Sequence, residues 1–261
     1  MKTIDRRGFL KGAAAGAAAL SSGAFAADSA KRRQKPAPQI VSKGEGATGL
    51  NVLVITVDTL RLDHVGCYGL PVGWIPEKRQ AIQTPNLDRL AQRAAVFDRH
   101  YIGSFPTVPM RTDCFTGNVI FPRYDWKKLG TEEILLTEVL REAGYYGCLI
   151  LDTTNMISTD FPRGFDEFHK TYNPPADKPK AADIPMPAPK ENYRQGAGQR
   201  NSQLADMAHF QQESDWWVAQ TMAKGAEWLK ENGARDKWFL WLDTFEVHEV
   251  WNPPKPYIDL Y

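Results

Sequence analysis

Cysteine is scarce in this chain. Its 261 residues include three, Cys67, Cys114 and Cys148, with no CxxC pair or other metal-like spacing. An odd number cannot pair completely, so a disulfide framework is not expected. All three are expected as small buried hydrophobes. An excess of charge is missing too: the formal net charge is +1, which gives no reason to expect nucleic acid or an anionic membrane surface as a partner. Beyond the N-terminal segment, no apolar run is long enough to span a bilayer.

What remains is ordinary globular composition, 43% hydrophobic and 24% charged, enough to bury a core in one large domain or two small ones. Eight tryptophans are many for this length, and Trp216, Trp217, Trp228, Trp238, Trp241 and Trp251 fall late. Packing is their expected role.

Residues 1–26 stand apart. Arg6-Arg7 precede an Ala/Gly-rich, weakly apolar run to Leu20, and Ala24-Phe-Ala26 offers small residues at cleavage-site spacing. The pattern resembles a twin-arginine export signal, the alternative being a disordered basic tail. It implies contact with the twin-arginine export machinery and a periplasmic or secreted destination. Residues 27–49, rich in Lys, Arg, Pro and Gly, read as a flexible tether, and 50–261 as the folded domain.

Within that domain Asn51–Val57 is a continuous apolar run, the pattern of a strand buried on both faces of a parallel sheet. A helix is expected from Thr84, with Pro85 at its first position and Leu87, Leu90 and Ala91 on one face. Another is expected from Thr131 to a stop at Gly144, with Leu136, Val139 and Leu140 inward. The strand Tyr146–Leu151 follows. Residues 173–200 carry six prolines and no periodicity, and read as a surface excursion, either over a substrate site or without function. A helix is expected from about Ser214 to Asn232-Gly233, with Val218, Met222, Gly225 and Leu229 in one stripe. The strand Trp238–Leu242 comes next, then a loop from Asp243 to Pro254. Strands alternating with helices predict an α/β fold, a mostly parallel sheet flanked by helices. Ligands of such sheets sit beyond the C-terminal strand ends, where Asp58, Asp152 and the loop with Glu246 and His248 fall.

The segment Gly103–Gly117 has the form of a nucleophile loop. Thr107 would open a short helix, with Pro109 and Arg111 behind it, so that an anion meets both a helix N-terminus and a guanidinium. Asp58, closing the first strand, is well placed for a divalent cation, which prefers hard oxygen ligands; alone it would equally suit a helix N-cap. Three motifs appear in order: Val57–Gly69, Thr84–Ala91 and the nucleophile loop. With Leu140–Tyr145, Gly164–Glu167, Trp238–Asp243 and Phe245–Pro254 they resemble the sulfatase family of the alkaline phosphatase superfamily, over residues 50–261.

The resemblance implies hydrolysis of sulfate esters by metal-assisted in-line attack, on a sulfated (or phosphorylated) small molecule or glycan. It makes Asp58 and Thr107 ligands of one divalent metal, usually calcium. Thr107 stands where the family carries a cysteine or serine that becomes formylglycine. Arg111 would steady the nucleophile and neutralise the anion. His248 would contact the anion or protonate the leaving oxygen; a surface loop histidine is the alternative. Asn155 offers a substrate hydrogen bond where the family often has a Lys/His pair.

Departures from the pattern sharpen these expectations. Threonine cannot become formylglycine by the route used on cysteine or serine, so none is expected at Thr107. Related phosphodiesterases and phosphonoacetate hydrolases of the superfamily use an unmodified threonine, which makes a phosphodiester or phosphonate the alternative substrate. A second aspartate after the first strand is replaced by Thr59, and the usual Asp-Pro-His reads Glu246-Val-His248. The late Asp-His or Asp-Asn pair and lysine of the family are absent before Tyr261. The chain therefore looks truncated and is expected not to turn over alone; a non-catalytic relative binding anionic glycans is the remaining alternative.

Overall fold

The computed structural model describes residues 49–69, 82–121, 126–185 and 197–260. The chain divides into two units, residues 1–39 and 40–261, and every described residue belongs to the second. The export signal 1–26, the tether up to residue 48 and the middle of the proline-rich excursion lie outside the described residues.

Four strands, β1 (Val52–Val57), β2 (Tyr146–Leu151), β3 (Glu167–Lys170) and β4 (Trp238–Thr244), form one sheet in the order β1-β4-β2-β3, with every pairing parallel. The expected α/β class holds. The central strands β2 and β4 are apolar on both faces because both faces are covered. On one face Phe239, Trp241, Leu149 and Leu151 pack with Val108 and Phe115, whose ring stacks on Trp241 at 4.4 Å. Those last two residues belong to a helix, Thr107–Thr116, that lies against this face. On the other, Cys148, Ile150, Leu240 and Leu242 pack with Trp228 of the helix Trp217–Asn232. Gly225 permits that approach, since a Cβ there would sit 2.7 Å from a Leu242 methyl.

Numbered along the chain, the helices are α1 (Pro85–Ala91), α2 (Thr107–Thr116), α3 (Leu136–Glu142), α4 (Asn155–Ser158), α5 (Ala197–Asp206), α6 (Trp217–Asn232) and α7 (Lys255–Ile258). Among the described residues no helix is long and apolar enough to cross a membrane.

Several expectations are corrected. Among the described residues β1 is an edge strand, with Leu53 and Ile55 42% and 49% exposed; an apolar run reports hydrophobicity, not position in the sheet. Leu87 and Leu90 of α1 are exposed as well. α3 begins at Leu136 rather than Thr131, because the Glu138 carboxylate accepts the Leu135 N–H at 3.0 Å and starts the helix there. Its inward residues become Leu135, Thr137 and Leu140, leaving Leu136 and Val139 exposed. The buried face of α6 is Trp217, Thr221, Gly225, Trp228 and Asn232, with Val218, Met222 and Leu229 on its margin. α5 forms at the end of the stretch expected to be irregular. Cys148 is buried, but Cys67 and Cys114 are exposed. Trp216, Trp217, Trp228 and Trp241 pack as expected, whereas Trp251 is exposed.

Candidate functional site

Parallel strands end on one rim, and β1, β2 and β4 deliver three carboxylates there: Asp58, Asp152 and Asp243. Asp58 extends the ladder by one bond, donating its N–H to the Thr244 carbonyl at 3.0 Å. Thr59 then turns away with φ at 57°, a left-handed conformation unusual for a β-branched residue. β4 runs two residues beyond its expected end, so Asp243 is a strand residue and not the start of a loop. It is wholly buried.

Arg111 reaches this rim from α2. Its Nε and Nη2 donate to the two carboxylate oxygens of Asp243 at 3.0 and 3.2 Å, a bidentate pair. Its Nη1 lies 3.2 Å from Asp58 Oδ2. Thr56 donates to Asp243 Oδ2 at 2.5 Å and Thr153 to Oδ1 at 2.6 Å. Only 1% of Arg111 is exposed. Burial works against its charge, but Asp243 and then Asp58 outweigh it and raise its pKa. The guanidinium therefore faces two carboxylates inside the protein rather than solvent.

Thr107 is the first residue of α2 and stands one turn before Arg111, so the two share a helix face. Its side chain is buried and makes no hydrogen bond among the described residues. The loop around α2 is rigidly tied. Ser104 donates to Asp113 at 2.8 Å, and together they collect the N–H groups of Ile120 and Phe121. Gly117, with φ at 68°, closes the helix through its N–H to the Asp113 carbonyl.

Asp152 lies beside Asp243 but is held differently. It accepts from Thr221, Thr244 and the Phe245 N–H, at 3.2, 3.0 and 2.6 Å, and no cation pairs with it among the described residues. Burial, with the charge of Asp243 behind it, pushes its pKa up to about 6. Glu246, in the loop after β4, is likewise pushed up to about 7, by burial and by Asp152, against a stabilising Val218 N–H. His248 follows in that loop. Its ring stacks on Phe245 at 4.1 Å, and Nδ1 lies 2.9 Å from the Glu249 carbonyl and 3.1 Å from its carboxylate. Asn155 opens α4 beyond β2 and is exposed.

Asp58, Thr107 and Arg111 are thus gathered at one rim, whereas Asn155 stands at the head of α4 beyond β2 and His248 in the loop beyond β4. Sequence reading missed Asp243, Thr56 and Thr153, which organise the arginine. A carboxylate closing the apolar run of β4 was the available signal, since a charge there needs a buried partner.

A calcium ion takes six to eight oxygens. The residues expected to bind one, Asp58 and Thr107, offer a carboxylate and a hydroxyl. Asp58 Oδ2 is buried without a hydrogen-bond partner, as a ligand oxygen would be, but Arg111 stands beside it and also occupies Asp243. The donors described here do not make up a calcium shell.

The fold and rim define a parallel α/β protein in which a helix, α2, sends Arg111 to the carboxylates at the strand ends. A family model described as Sulfatase matches residues 50–261, and the chain belongs to that family. Human (Homo sapiens) steryl-sulfatase is 27% identical over 123 residues, which is 42% of this chain and 20% of that enzyme. The structure of a phosphonate monoester hydrolase of Agrobacterium radiobacter superposes with a TM-score of 0.55 at 20% identity, covering 81% of this chain and 44% of that one. A protein solved with its substrate D-glucosamine-2-N,6-O-disulfate gives 0.51 at 18% identity, covering 78% of this chain and 36% of that one. At such identities the two structures speak for the fold. The chain spans a fifth of the curated relative's length and less than half of either structure.

Proposed function

We propose that this chain carries the nucleophile region of a sulfatase-type hydrolase of sulfate esters, with Thr107 as the attacking residue. The observation that carries the reading is the shared helix face of Thr107 and Arg111 beside Asp58. In this scheme the Thr107 hydroxyl attacks sulfur in line with the departing oxygen. An O–S bond forms, the ester S–O bond breaks and the hydroxyl proton passes to solvent. Water then cleaves the sulfothreonine and releases sulfate. The N–H groups of Thr107 and Val108, at the head of α2, face the equatorial oxygens, where the helix N-terminus favours negative charge. Arg111 is a positioning residue: it fixes α2 to the sheet and balances Asp58 and Asp243. His248 protonates the leaving alcohol, and Asn155 donates to the substrate. Arg111 opposes Asp58 and Asp243 at the rim, and Asp152 lies beside them without a cation among the described residues.

Sulfate esters of small molecules or glycans are the first substrate class. A phosphonate or phosphodiester is the second reading, favoured by the hydroxyl at Thr107. Rates on p-nitrophenyl sulfate and on a p-nitrophenyl phosphonate ester, measured on a form extended to the length of its relatives, separate them. Thr107→Ala is expected to abolish turnover, with the folded state retained by circular dichroism. Sulfate hydrolysis persisting in that variant, or no turnover of either ester by the wild type, defeats the proposal. Mass spectrometry of the peptide bearing Thr107 is expected to show unmodified threonine.

Export by the twin-arginine route is part of the same proposal, supported by Arg6-Arg7 and Ala24-Phe-Ala26. Replacing both arginines by lysine is expected to retain the protein in the cytoplasm; unchanged export would refute the assignment.

A further inference from the structure

Away from the rim, the strand register assembles a group that no spacing in the sequence announces. Cys148 on β2 is the register partner of Glu167 on β3, and His169 stands two residues further along β3, on the same face. The Sγ, a carboxylate oxygen and an imidazole nitrogen of these residues lie within 4.8 Å of one another. His169 Nε2 is 3.1 Å from Glu167 Oε2. Two further donors hold the carboxylate from outside the group: the Tyr146 hydroxyl at 2.5 Å and the Trp228 indole N–H at 2.9 Å.

We propose that Cys148, Glu167 and His169 form a zinc site that fastens strand β3 to β2. The donor set is the argument for this metal. A thiolate, an imidazole and a carboxylate suit zinc, whereas calcium and magnesium prefer oxygen alone. Tyr146 and Trp228 orient Glu167 as outer-shell partners of a metal ligand do. Zinc takes four ligands, and the fourth has a route in. His169 also lines an open groove of about 500 Å³ with Thr171, Gln220 and Lys224, through which a water can complete a tetrahedron.

On binding, zinc takes the place of the thiol proton: the S–H bond breaks, a Zn–S bond forms, and the proton passes to buffer. The site lies on the α6 side of the sheet, opposite α2, and is independent of the hydrolase reading.

The test uses the purified full chain after chelator treatment, with cobalt(II) alone as the optical probe and zinc in calorimetry. Expected are a near-ultraviolet thiolate-to-cobalt band with tetrahedral visible bands, displaced by zinc, and a binding heat that varies with buffer ionisation as one released proton requires. Cys148→Ser and His169→Ala should each remove the thiolate band or the tetrahedral spectrum. Tyr146→Phe should weaken zinc about 10–100-fold. His169 sits on an edge strand, so its variant keeps the test open if Cys148→Ser fails to fold. A wild type without zinc binding, or cobalt spectra unchanged in both ligand variants, overturns the site.

Discussion

Asp243 and Asp152 sit on adjacent strands at the same rim, joined by the Asp152 N–H to the Asp243 carbonyl at 3.2 Å, and both are buried. They differ in company. Asp243 has a guanidinium locked across both its oxygens and two threonine hydroxyls besides. Asp152 has hydroxyls and an N–H but no cation among the described residues, and its pKa is pushed up to about 6 by burial and by Asp243. Equal depth thus goes with one carboxylate that a guanidinium clasps and one, without a cation beside it among the described residues, whose pKa burial raises.

The strongest way to break this contrast is to remove the cation. Arg111→Leu leaves Asp243 and Asp58 buried without their partner and is expected to cost about 3–5 kcal/mol in urea unfolding. A loss under about 1 kcal/mol would mean that Arg111 is not what holds the pair.

Thr153→Val is expected to cost about 1.5–3 kcal/mol, because it deletes a donor to a buried charge. If the arginine alone satisfies Asp243, the variant will unfold at the wild-type urea concentration.

The pH dependence sharpens the other half of the comparison. For Asp152 the folded pKa, about 6, lies above the ordinary 3.8, and for Glu246 about 7 lies above 4.5. The folded state therefore holds protons that the unfolded chain has released. Stability falls as pH rises from about 4 to about 7, by on the order of 1–3 kcal/mol per group. Asp152→Asn should flatten the lower part of that slope and Glu246→Gln the upper part. Slopes equal to the wild type in both variants would count against the raised values.

Ile55→Thr, at a half-exposed position of β1 paired with Leu242, serves as the control without a bond to either carboxylate and is expected to change stability by less than about 0.5 kcal/mol. A larger loss would show that this position is covered in solution.

Local pattern carried much of this structure. The apolar runs at Val52–Val57, Tyr146–Leu151 and Trp238–Leu242 marked three of the four strands, and Pro85 and Gly144 marked a helix start and a helix end. The short strand β3 was invisible as one, since Glu-Phe-His-Lys alternates weakly over four residues. Asp58, Thr107 and Arg111 were legible because their motifs are local. Asp243 was not read as a site residue, because its meaning comes from Arg111, 132 residues earlier in the chain.

By itself, then, the sequence determined the α/β class, the rim on which chemistry can occur and the threonine at the head of α2, because periodicity and short motifs act over a few residues. Tertiary structure alone decided which strand lies at the edge and which way Arg111 turns. It also decided which aspartate receives a counter-charge and which strand residues Cys148 meets. Those outcomes depend on strand order and register between segments distant in the chain, and desolvation assigns them their energies only after the sheet has formed.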